Sequence, residues 1–188
     1  MKIDNKTWES AAEEAVSSIF DVAISNGLQT PETLCKFMRH KFDEALNKTV
    51  DFNSIPEGVL FNSTGSLWSF VARHALHILR YQEISPTKEE IVSTLIRKQR
   101  DYGPENISRF GDIGLLIRMH DKIARLENIM AKTNNDFNRA ISINSVQDET
   151  IVDTLIDIIG YSAIAIMWST IDENNNRAFL YPMGEEYV

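Results

Sequence analysis

Residues 149–168 read ETIVDTLIDIIGYSAIAIMW, and this run constrains the chain more than any other. Val152, Leu155, Ile156, Ile159, Ala163 and Ile166 cover most sides of a helix drawn through it, so that helix has to be buried nearly all round. Glu149, Asp153 and Asp157 recur every fourth residue along it. Successive members of that set drift by about 40°, which gives one slanted row of acids. Carboxylates at this spacing repel one another unless cations stand opposite. Burying them without a partner is costly.

The cations are found in residues 98–130, KQRDYGPENISRFGDIGLLIRMHDKIARLENIM. On a helical wheel Gly114, Arg118, Asp121, Lys122 and Arg125 share one side. Leu115, Met119, Ile123 and Leu126 flank them, and Ile113, Ile117 and Ala124 lie behind. A surface helix has one apolar face and a broad polar one. These proportions are reversed, so the spacing predicts a central helix from Asp112 to Lys132 with a narrow basic stripe. The basic stripe is expected to face the acid row across a small polar pocket. Lys98 and Arg109 add positive charge close by in sequence.

The remaining elements are helical as well. Trp8, Ala11, Ala12, Ala15, Val16, Ile19 and Phe20 keep helical spacing, with Gly27 as a stop. Thr30 and Pro31 supply an N-cap followed by proline at the first helical position. The next helix places Leu34, Phe37, Met38 and Phe42 on one side with Cys35 beside them, the position of a buried structural thiol. Residues 48–65 break the pattern and read as a loop. Ser66 to Tyr81 resumes it and carries His74 and His77 three apart, a spacing that suits two metal ligands or a packed pair. Thr87 and Glu90 form a capping box for a helix ending near Gly103. A second box is read at Ser145–Asp148, opening the last helix. With no strand signal, the fold class is all-α: a single-domain bundle of about six helices with the two charged-stripe helices at its centre. Residues 1–85 form an N-terminal helical part, 86–170 the core and 171–188 a tail.

Composition narrows the function classes. A net charge of -8 argues against binding duplex nucleic acid, which calls for a basic face, but leaves room for a site holding one phosphate group. The single cysteine rules out an intrachain disulfide framework and fits a reducing compartment. The polar, acidic N-terminus does not read as a signal peptide. The most apolar run, Leu155–Trp168, is too short to span a bilayer. A cytoplasmic location and no membrane partner are expected.

Lys98, Asp101-Tyr102-Gly103, Phe110-Gly111, Arg118-Met119-His120-Asp121-Lys122, Arg125-Leu126 and Glu149…Asp153-Thr154-Leu155…Asp157…Tyr161 resemble the phage and bacterial nucleotide modification associated domain 1 family over residues 88–168. The resemblance implies a phage-type protein of the host cytoplasm tied to nucleotide metabolism or modified nucleotides. A looser similarity is to all-α nucleoside triphosphate pyrophosphohydrolases of the MazG type. That similarity implies Mg²⁺ held by acids from two helices, and a homo-oligomer. The chain departs from the MazG pattern in its four-residue acid spacing and in offering Asp121 among bases rather than a glutamate pair. The departure weighs against hydrolysis and leaves binding intact.

Three functions are compatible with these residues. In the first, Glu149, Asp153 and Asp157 hold Mg²⁺, while Arg118, Lys122 and Arg125 take a nucleotide's phosphates together with Lys98 and Arg109. Tyr102 and Tyr161 then stack on the base, and Asp121 orients a group or accepts a proton in phosphate chemistry. In the second, the same pocket captures a signalling or modified nucleotide without cutting it. In the third, the stripes are a buried salt-bridge network and the protein is structural or binds a partner.

Overall fold

The computed structural model describes residues 5–21, 30–49, 65–103, 111–142 and 150–173. Seven helices and no strand occur among them: α1 Asn5–Phe20, α2 Pro31–Thr49, α3 Gly65–Tyr81, α4 Lys88–Tyr102, α5 Gly111–Lys132, α6 Phe137–Ser142 and α7 Ile151–Glu173. The all-α reading holds, and the short α6 is the element that periodicity did not single out.

The helix boundaries follow from local chemistry. Thr30 Oγ1 accepts from the Thr33 backbone N–H at 3.3 Å, so Thr30 caps α2 and Pro31 takes its first position. Thr87 and Glu90 satisfy each other's backbone N–H groups at 3.1 and 2.8 Å, the reciprocal box expected at the start of α4. That helix stops at Gly103, whose φ of 75° is open to a residue without a Cβ. Asn134 and Asn135 adopt φ of 53° and 62° just beyond α5, and the Asn135 N–H returns to Met130 O at 2.8 Å. Asparagine tolerates this left-handed conformation, which ends the helix there.

The opening of α7 differs from the expected one. Its cap is Thr150, with Asp153 as the box partner. Asp153 Oδ2 accepts from the Thr150 N–H at 2.8 Å and from Thr150 Oγ1 at 2.7 Å, and Thr150 Oγ1 accepts from the Asp153 N–H at 3.1 Å. The Ser145–Asp148 box lies outside the described residues.

Helix α7 is the centre of the bundle. Ile151, Leu155, Ile158, Ile159, Ala163, Ala165 and Met167 are all buried, so it is apolar on nearly every side, as residues 149–168 require. Its most extensive packing is against α3, through a core that also draws in Trp68, Leu76 and Leu79. Helix α5 lies along a second side, α1 along a third, and α4 makes a narrower contact. One hydrophobic cluster therefore takes side chains from both ends of the chain. Cys35 is buried, and burial pushes its thiol up to about 12, which makes it an inert packing residue. His74 is buried too, stacked on Phe70 at 3.9 Å and hydrogen-bonded through Nδ1 to Phe70 O at 2.8 Å.

The rear of α5 is open, where the wheel placed it under apolar cover: Ile113 and Ile117 are each more than half exposed. Among the described residues, no helix is long and apolar enough to cross a membrane.

Candidate functional site

The basic stripe of α5 meets α7 in antiparallel register, one rung per helical turn. Arg118 Cζ lies 6.0 Å from the centroid of the Tyr161 ring. Lys122 Nζ is 2.9 Å from Asp157 Oδ2. Arg125 Nε donates to Thr154 Oγ1 at 3.1 Å, and that hydroxyl donates in turn to Thr150 O at 3.1 Å. Steps of four and three residues along α5 are matched by the same steps back along α7. The two helices thus face each other through the residues picked out on the wheel.

The acid row contributes less than its spacing suggests. Of its three members, Asp157 alone is seen to meet the basic stripe. Asp153 is exposed and tied into its own helix cap. Glu149 and Arg109 lie outside the described residues. Asp121 is exposed. Chemically, the rungs are a cation over an aromatic face, an ion pair and a charge-assisted hydrogen bond.

Lys98 reaches Asp157 from α4, bonding Oδ1 while Lys122 bonds Oδ2. One carboxylate therefore joins three helices. Its side chain is 15% exposed, against 20% for Lys122 and 40% for Lys98. Burial opposes ionisation of Asp157, but the hydrogen bonds and charges of Lys98 and Lys122 outweigh it. The pKa consequently falls below the usual carboxylate value.

Lys98 and Asp157 stand in the wall of a shallow cleft of about 40 Å³ formed by α1, α4 and α7. Leu95, Gly160 and Ile164 supply apolar surface, Gln99 a neutral polar group, and Trp8, Tyr102 and Tyr161 three aromatic rings. Tyr102 is 67% exposed, at the rim. A Cβ on Gly160 would come within 3.2 Å of Leu95 Cδ2, so the glycine lets α4 approach α7 this closely.

The structure thus brings together Lys98, Tyr102 and Tyr161 in the cleft, with Lys122 and Arg118 directly behind them. Trp8, Leu95, Gln99, Gly160 and Ile164 are new to the site. No pattern local to α4 or α7 points to Trp8, which arrives from α1, some ninety residues earlier in the chain.

Among the described residues, Asp153 and Asp157 do not come together as a donor pair. Both oxygens of Asp157 are bonded to ammonium groups, and Asp153 is held by Thr150. Among the described residues, no group of three His, Cys, Asp or Glu side chains stands close enough to hold a metal ion, the His74–His77 pair included. The chain matches no family model, no curated protein and no solved structure.

Proposed function

We propose that this protein binds a nucleotide or nucleotide-derived anion at the cleft between α1, α4 and α7 and holds it without cutting it. The observation that carries this reading is the side-by-side placement of Lys98 and three aromatic rings in one cleft. An ammonium group recognises a phosphate, and an exposed ring such as Tyr102 offers a stacking face to a base. Capture is favoured over hydrolysis because, among the described residues, no three acids stand close enough to organise a metal and a water, and Asp153 serves its own helix cap.

Thermal-shift measurements with a panel of nucleotides, with and without Mg²⁺, test the proposal alongside an assay for released phosphate and pyrophosphate. A ligand-dependent rise in Tm without product supports capture. Turnover would replace capture by catalysis. No shift with any member of the panel would leave the Lys98–Asp157–Lys122 trio as a structural clamp.

A further inference from the structure

We infer, resting on the nucleotide reading above, that the ligand carries a single phosphate group and that Lys98 reads it by exchanging Asp157 for the phosphate.

Three observations lead there. First, the two lysines are not equivalent. Each bonds its own oxygen of Asp157, but Lys98 is twice as exposed as Lys122 and is the one that lines the cleft. When Lys98 turns toward a ligand, Asp157 keeps its bond to Lys122 at 2.9 Å and is not stranded as a lone buried charge. A lysine is suited to such an exchange, being a point charge on a flexible stem with rotatable donors.

Second, charge limits the ligand. Lys98 is the one cation and Asp157 the one acid among the described residues that line the cleft. A single phosphate finds one ammonium partner there. A triphosphate would bring further negative charge alongside Asp157 with no second cation among the described lining residues to meet it.

Third, size limits what is enclosed. About 40 Å³ holds a phosphate-sized group or part of a ring, not a whole nucleotide. The rest of the ligand must then lie over the exposed ring of Tyr102 at the rim. That geometry describes a nucleoside monophosphate with its phosphate down and its base across the opening.

Titration calorimetry on the full chain tests this with adenosine and guanosine, their 5′-mono-, di- and triphosphates, and inorganic phosphate alone. The monophosphate is expected to bind about tenfold or more tighter than the nucleoside, with no further gain from a second or third phosphate. Lys98→Gln is expected to bring the monophosphate down to the nucleoside's affinity, and Lys98→Met, which keeps the aliphatic stem, to do the same if Lys98→Gln folds poorly. Affinity that climbs with each added phosphate overturns the inference while leaving nucleotide capture standing. So does a Lys98 variant that folds and binds the monophosphate unchanged. Binding of inorganic phosphate as tight as the monophosphate removes the role given to the rim. Failure of every nucleotide to bind removes the capture reading itself.

Discussion

Lys122 Nζ stands 2.9 Å from Asp157 Oδ2, and both side chains are largely shielded from solvent. Removing the carboxylate leaves two lysines converging on a neutral group. Asp157→Asn is expected to destabilise the fold by about 1–3 kcal/mol, the range for a lost hydrogen bond to a charged group that is not fully buried. Urea denaturation at neutral pH measures it. A change below the experimental error would mean that the trio does not hold α4, α5 and α7 together.

Asp153 gives a contrasting prediction. It serves the cap of α7 rather than the cleft, so Asp153→Ala is expected to cost about 1 kcal/mol, as the loss of a capping interaction does. Nucleotide affinity should stay as it was. A variant that loses ligand at unchanged stability would return Asp153 to the binding site.

Gly160→Ala separates stability from function. Alanine is favoured over glycine inside a helix by up to about 1 kcal/mol, which opposes the contact it creates with Leu95 Cδ2. Leu95 has the cleft beside it to move into. The expected result is a slightly higher Tm together with weaker ligand binding, because the displaced leucine narrows the cleft. A lower Tm would show that α4 and α7 have no room to adjust.

Acid should weaken the fold in two stages. Burial lowers the pKa of His74, with the nearby His77 adding to the effect and the bond to Phe70 O opposing it. Unfolded histidine takes up a proton near pH 6.5 while His74 in the fold stays neutral, so stability is full above that value and falls as pH drops below it. Asp157 is shifted down as well, so its contribution is present above the unfolded carboxylate value and disappears at lower pH still. Denaturation midpoints followed from pH 8 to pH 3 report both stages. His74→Phe should flatten the upper one while leaving the lower.

Arg39 and Glu127 join α2 to α5 through two parallel hydrogen bonds of 2.8 and 2.6 Å. Their partial exposure to solvent limits the value of the pair, so Glu127→Gln is expected to cost about 1 kcal/mol. Raising the salt concentration should shrink the difference from the unaltered chain. A salt-independent loss would assign the effect to packing.

Much of this architecture was legible in the sequence because its signals are local. Caps at Thr30 and Thr87, the stop at Gly103 and the all-round apolar surface of α7 are properties of neighbouring residues. The facing of α5 and α7 was legible for a related reason: a wheel reports which residues share a side, and charge complementarity supplies the partner. The wheel misleads at Asp153, whose angle matches the acid row but whose partner is the backbone of its own first turn. It misleads again at Ile113 and Ile117, because an apolar side chain favours burial without guaranteeing it. Trp8 and the Arg39–Glu127 pair were out of reach, since they depend on how distant helices are arranged.

The three unlike rungs between α5 and α7 also make sliding between the two helices one-sided. Sliding one helix by a turn, about 5.4 Å, would set Asp157 against Leu126 in one direction. In the other it would set Asp157 against Arg118 and Lys122 against the exposed cap at Asp153, so opposite charges still face each other. Shear in the first direction is therefore opposed by a stranded carboxylate, while shear in the second keeps its charges matched. A ligand in the cleft can thus be met by side chains at its wall, by α1 and α4 around it, or by α5 moving one way only along α7.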